Sequence, residues 1–251
     1  MESNKRQIKQ HMRKVRLRTV LAILVVIALM VIFALKAPAF DVSKYEVTGN
    51  HYYSDQEIAN MGNCALGVNI FTGVDCGDIR DRLAKDPYMA RVSVRRKLPS
   101  TVTISITERV QTAAIVYGDS FVVIDEEGTV LRKTTIDPKV TVLRGLNISG
   151  MTLGETIKVD EDVLMRQCMD IINSMKANNM YFKSITISQA EAKAYVLDNL
   201  MVRGVPDNII FALENNDIQL VVQELFNQGI ERGTIKVTGD NYVSYTPEVE
   251  H

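Results

Sequence analysis

The side chains able to do covalent or acid–base chemistry are few and scattered. The three histidines are His11, His51 and His251, and no spacing brings two of them together. Ser–His and Cys–His nucleophilic catalysis need a histidine base within hydrogen-bonding reach of the nucleophile, so that chemistry lacks its parts. The chain has no GxSxG, HExxH or phosphate-binding glycine loop. Its cysteines are Cys64, Cys76 and Cys168. An odd number without a CxxC pair is neither a disulfide framework nor a zinc site. Cys64 and Cys76 could pair if the fold brings their Cβ atoms together, and Cys168 reads as a small buried apolar residue of a helix. Two acidic runs, Asp125-Glu126-Glu127 and Asp160-Glu161-Asp162, hold carboxylates of the kind a glycosidase pairs. Each also has a structural reading, the first as a polar turn and the second as a helix N-terminus that favours negative charge. Arg95-Arg96-Lys97 suits lipid headgroups, an acidic partner or simply a solvated strand end. The methionines from Met165 to Met180 read as core packing rather than a binding groove. The expectation is a protein without catalysis, cofactor or metal.

What must position any binding surface is a membrane segment. The run from Val20 to Leu35, VLAILVVIALMVIFAL, is sixteen residues without charge or hydrogen-bonding side chain. As a helix it spans about 24 Å, slightly short of a bilayer core of about 30 Å, and Thr19, Ala37, Pro38 and Ala39 extend it while Arg18 and Lys36 can snorkel outward. Its anchoring side chains are Val20, Leu21, Ile23, Leu24, Val25, Val26, Ile27, Leu29, Val31, Ile32, Phe33 and Leu35, and the whole segment covers 19–37. Residues 1–18 carry seven basic residues against Glu2 alone, a net +6 in a chain whose total is −1. Arg13, Lys14, Arg16 and Arg18 lie nearest the apolar run and are the topology signal, since basic residues beside a span hold that end in the cytoplasm. The bulk of the chain, Phe40 onward, is then expected outside the cytoplasm. The rival reading is a cleaved signal peptide with Ala37-Pro38-Ala39 as the cleavage site, but the apolar run is longer than a signal core of about 7–15 residues. The basic tail touches membrane lipid, and the mild negative charge of the whole argues against a nucleic-acid surface.

Beyond the span, Val42 to Val47 reads as a strand ending in a Thr48-Gly49-Asn50 turn. Ser54 and Glu57 form a capping box for a short helix, and Asp75 caps a second one carrying Ile79 and Leu83 on one face. Ala90, Val92 and Val94 alternate with charged and polar residues, as do Val102, Ile104 and Ile106. These two strands form a hairpin with one wet face. The order is β-α-α-β-β. After Arg109, short strands are expected at Ala113–Tyr117, Phe121–Ile124, Thr129–Arg132 and Val140–Leu143. A helix follows with Val163, Leu164, Cys168, Ile171, Ile172 and Met175 on one face. Further strands read at Ile185–Ile187, Ala194–Leu197, Leu200–Arg203 and Ile209–Leu213. A helix from Asp217 to Gln228 then leads to a closing hairpin, Thr234–Val237 with Tyr242–Tyr245. The fold class is α+β, with the second domain on a largely antiparallel sheet.

Val47-Thr48-Gly49-Asn50, Ser54, Glu57-Ile58, Gly67-Val68-Asn69-Ile70-Phe71, Leu83, Pro87, Val92 to Arg96, Leu98-Pro99-Ser100-Thr101-Val102 and Ile104 to Arg109 together resemble a POTRA domain. Behind a basic tail and a single span, the chain resembles the FtsQ/DivIB family of bacterial cell-division proteins. Ile124-Asp125, Gly128-Thr129-Val130, Gly233-Thr234-Ile235 and Tyr245-Thr246-Pro247 are similar to the start and end of that family's second domain. The expected organisation is a cytoplasmic tail at 1–18, the span at 19–37, POTRA at 40–110, the β domain at 111–247 and a short tail at 248–251. The resemblance implies a scaffold in the cytoplasmic membrane at the division septum. It implies FtsB/DivIC-like and FtsL-like single-span partners, with septal peptidoglycan synthases further along. The alternative is an anchored extracytoplasmic sensor or cell-wall enzyme. By the same resemblance the partner is received along the last strand, at Lys236, Val237, Tyr242, Val243, Ser244 and Tyr245. The residues agree to this extent: 242–245 carry no charge and have no later strand to pair with, which is the condition for strand addition at a sheet edge.

Overall fold

The computed structural model describes residues 2–239 and 242–248, with side chains described from Arg18 onward except Ala34. The side chains of Arg13, Lys14 and Arg16, and the turn residues Asp240 and Asn241, lie outside the described residues. The chain forms two compact units, one of residues 1–84 with 89–108 and the other of residues 85–88 with 109–251.

The first unit begins with helix α1 (Glu2–Leu35). Its large apolar side chains from Val20 to Phe33 are uncovered, Phe33 at 82% exposure. Among the described residues no helix is long and apolar enough to cross a membrane. The Leu35 carbonyl accepts a hydrogen bond from Asn69 Nδ2 at 2.8 Å. A three-stranded sheet follows, ordered β1-β3-β2, from β1 (Lys44–Thr48), β2 (Met89–Lys97) and β3 (Thr101–Glu108). β1 runs parallel and β2 antiparallel to β3. Helix α2 (Asp55–Met61) starts at the expected capping box: Ser54 Oγ accepts from the Glu57 N–H while Glu57 reaches back to the Ser54 N–H. Helix α3 (Cys76–Leu83) starts at Asp75, whose carboxylate accepts from the Gly77 and Asp78 N–H groups. Those bonds hold the Asp75 carboxyl below its ordinary pKa. Ile58, Ile79 and Leu83 pack on Val102, Ile104 and Ile106, with Val94 opposite Ile104 and Val92 opposite Ile106. Arg91, Ser93, Arg95, Thr103 and Ser105 fall on the other face, as alternation requires. Arg96 differs from its neighbours: it lies opposite Val102, and its guanidinium donates to the Ile70 and Val74 carbonyls. That part of the basic run is therefore a structural clamp.

The second unit is built on nine strands: β4 (Ala113–Tyr117), β5 (Ser120–Ile124), β6 (Val130–Thr134), β7 (Thr141–Arg144), β10 (Ser184–Ile187), β11 (Ala192–Tyr195), β12 (Leu200–Gly204), β13 (Gly233–Val237) and β14 (Val243–Thr246). Their order is β14-β13-β12-β11-β10-β7-β4-β5-β6. A small ribbon, β8 (Ile148–Gly150) with β9 (Lys158–Val159), stands apart. The sheet is mixed rather than largely antiparallel, because β4–β7, β7–β10 and β12–β13 are parallel pairs. Parallel neighbours need a crossover: helix α4 (Asp162–Ala177) lies between β7 and β10, and helices α5 (Pro206–Glu214) and α6 (Asp217–Asn227) lie between β12 and β13.

One row of directly opposed residues crosses eight strands: Val122, Ile115, Leu143, Ile185, Ala194, Val202, Ile235 and Tyr245. It shares a core with Cys168, Ile171 and Ile172 of α4, Ile209 and Leu213 of α5, and Ile218 and Val222 of α6.

Three elements differ from what the sequence pattern predicts. Ile209–Leu213 is helical, not a strand. Pro206 opens the helix, and Ile209, Ala212 and Leu213 are its buried positions, a helical spacing hidden in a short apolar run. Val163 is 57% exposed and off the buried face of α4, because the first turn projects it away from Leu164 and Cys168. Tyr242 precedes the last strand instead of belonging to it, since pairing with β13 begins at Val243.

Candidate functional site

Each sheet leaves its outer strands unpaired on one side, and β14 is the last strand at one end of the large sheet. Among the described residues it pairs only with β13, antiparallel, through Thr234–Thr246, Ile235–Tyr245, Lys236–Ser244 and Val237–Val243. Alternation sets the faces. Val243 and Tyr245 fall on the helix-covered face and pack against the core, and the Tyr245 hydroxyl donates to the Arg232 carbonyl at 2.8 Å. Ser244 and Lys236 fall on the open face. Tyr242, just before the strand, is 66% exposed. Val237 is buried and supports the strand from below.

Backbone direction follows from the register. The Thr238 N–H donates to the Tyr242 carbonyl at 3.1 Å, making 238/242 a hydrogen-bonded pair. In antiparallel pairing such pairs alternate, so Lys236/Ser244 is of the same kind and the Ser244 N–H faces β13. The outward N–H groups of β14 are those of Val243 and Tyr245.

The pairing also assembles something invisible in the sequence. Arg144, Thr186, Lys193, Arg203, Lys236 and Ser244 form one in-register row across the open face. Directly opposed like charges repel. Glu191 offsets part of this by pairing with Arg203 and with Lys193, and the Arg203 hydrogen bond, foremost, lowers the Glu191 carboxyl below its usual range. A concavity of about 480 Å³ opens beside this end of the row, lined by Glu191, Arg203, Asn208, Lys236 and Thr238. Gly204 is needed there: a Cβ at that position would lie 2.6 Å from the Val237 carbonyl oxygen. The missing signal was register, because these cations are far apart in sequence and only strand order brings them together.

The other candidates resolve differently. Asp125 is 2% exposed. It bonds the Thr129 N–H at 2.7 Å and the Arg109 guanidinium at 2.5 Å, so it is the keystone of a turn. All three cysteines are free. Burial pushes the Cys168 thiol up to about 12, and burial foremost raises Cys64 to about 11, which leaves both poor nucleophiles near neutrality. Among the described residues no group of three or more His, Cys, Asp or Glu side chains could hold a metal ion.

Comparison with known proteins adds the following. Residues 40–109 match the POTRA domain of FtsQ type. The chain is 28% identical over 210 residues to cell division protein DivIB of Clostridium acetobutylicum, covering 80% of this chain and 82% of that protein. It is 26% identical over 195 residues to cell division protein FtsQ of Corynebacterium glutamicum, covering 78% and 76%. A solved structure, the major extracytoplasmic domain of DivIB from Geobacillus stearothermophilus, aligns with 13% identity over 47% of this chain and 96% of that one. Its TM-score is 0.30, too low to bear on the fold.

Proposed function

The chain is a homologue of the DivIB and FtsQ cell-division proteins, and from that premise we propose that it is a non-enzymatic scaffold of the division machinery. The names of its relatives support a role in cell division. The finer reading is that α1 anchors the chain in the cytoplasmic membrane with the basic tail inside and the two units outside. An uncovered apolar stretch from Val20 to Phe33 is stable only in apolar surroundings, and the +6 tail supplies the orientation. The scaffold gathers FtsB/DivIC-like and FtsL-like partners at the septum, and through them the septal peptidoglycan synthases. Confinement to one membrane raises the effective concentration of weakly binding partners without new contacts.

The observation that carries the docking reading is the free edge of β14, which has no charged residue between Val243 and Thr246. A partner segment adds as a further strand, bonding the outward N–H groups of Val243 and Tyr245. Its acidic side chains meet Lys236 and Arg203 on the open face, and Tyr242 supplies an exposed ring. The experiment is capture of the FtsB/DivIC-like partner by the full chain and by a chain ending at Gly239. Loss of capture by the shortened chain, with the rest of the second unit still folded, is the expected result. Equal capture would place the site elsewhere.

A further inference from the structure

The two acidic runs of the sequence meet in space. Glu126 and Glu127 form one wall of a groove of about 660 Å³ in the second unit, and Asp162 and Asp170 of α4 form the other. Between them Met165 and Met169 make an apolar floor with Ile157. On α4 the groove residues follow a helical stripe, 162, 165, 166, 169, 170 and 173. Glu127 is paired with Arg109 at 3.0 Å. Among the described residues Glu126, Asp162 and Asp170 have no ion-pair partner. Arg166 is the one basic side chain among the residues that line the groove.

An acidic rim over a methionine floor selects by charge and adapts by shape: methionine side chains repack around varied apolar groups at low cost. The volume is that of a site holding a few side chains. We propose that this groove docks a cationic peptide segment of a partner protein, with lysine or arginine groups on the carboxylate walls and one aliphatic side chain on Met165 and Met169. It shares no residue with the β13–β14 edge, so it is a second docking surface that stands or falls independently of the first.

The test uses the full chain in zwitterionic lipid nanodiscs and a fluorescein-labelled peptide alternating lysine and leucine, read by anisotropy. Saturable binding that weakens with added salt is expected. The triple variant Glu126→Gln/Asp162→Asn/Asp170→Asn removes three exposed charges that make no side-chain hydrogen bond or ion pair among the described residues, and binding should fall by about tenfold or more. Met165→Ala should weaken binding several-fold even at high salt. Asp207→Asn/Glu214→Gln, acidic changes on α5 outside the groove, should leave it unchanged. The proposal is overturned if no saturable binding occurs, if the triple variant binds like the parent, if the α5 variant loses as much, or if a glutamate–leucine peptide binds equally well.

Discussion

The two sheets end in different ways. In the first unit β1 carries Lys44 and Glu46, and β2 carries Arg91, Arg95, Arg96 and Lys97. β2 also has an irregularity in register between Met89 and Arg91. In the second unit β6 carries Arg132 and Lys133, and its pairing with β5 shifts between Val123 and Ile124. Charge and bulges are the usual protection of an exposed edge against unwanted pairing. β14 has neither: its four residues are Val, Ser, Tyr and Thr, paired without a shift. Where three edges are guarded and one is open, the open one is where pairing with another chain costs least.

The largest expected effect sharpens this contrast from the guarded side. Ile104 is fully buried under α2 and α3, so Ile104→Ala should destabilise the first unit by about 2–5 kcal/mol. Thr103→Ala, on the opposite face, should cost under about 1 kcal/mol. Denaturant unfolding of the two variants reads the difference. Partner capture below the unfolding transition should be unchanged in both. A loss of capture in Ile104→Ala while the second unit stays folded would move the docking surface to the first unit.

The same contrast explains what the sequence could tell. The first unit was legible almost to the residue because its sheet has one wet face. Alternation at 90–95 and 102–107 marked the core side, and Ser54, Glu57 and Asp75 announced their helices by local hydrogen bonds. In the second unit, β4 and β5 bury Ala114 and Val123 as well as their core-facing neighbours, which erases alternation. Ile209–Leu213 shows the cost: five apolar residues fit either period, and it took Pro206 at the helix start together with packing of one face to make it a helix. The free edge strand β14 was legible as an uncharged last strand. Its flanking row of cations was not, since Arg203 and Lys236 become neighbours only through a parallel pair separated by two helices. The acidic groove was hidden for the same reason, each of its runs having a sufficient local explanation.

A smaller effect tests the open edge itself. Ser244→Pro would remove an N–H that faces β13 and would break the hairpin, so it cannot separate docking from folding. Val243→Pro removes an outward N–H and adds a ring along the docking side, a change that an edge strand tolerates. Capture of the FtsB/DivIC-like partner should weaken about tenfold or more, since a lost hydrogen bond contributes about 0.5–1.5 kcal/mol and the ring obstructs the incoming strand. Titration of the partner against the parent and variant chains gives the ratio. Affinity unchanged within twofold would mean that the partner does not add as a strand.

The smallest expected effect comes from stripping the guard off β2. Arg91→Thr/Arg95→Thr removes two exposed charges from the open face of the first unit and keeps good strand formers in place. Neither arginine makes an ion pair among the described residues, so folding should be little changed, within about 0.5 kcal/mol. What changes is repulsion: in the parent, two copies meeting β2 to β2 would bring arginines against arginines. The variant should therefore self-associate more than the parent, by a few-fold, as sedimentation velocity over a range of concentrations would show. The gain is small because the register irregularity at Met89/Arg91 remains as a second guard, and because Lys97 stays, tied to Glu46 at 3.0 Å. If the variant associates no more than the parent, charge is not what keeps β2 single. The lack of charge on β14 would then be no reason to regard that edge as the open one.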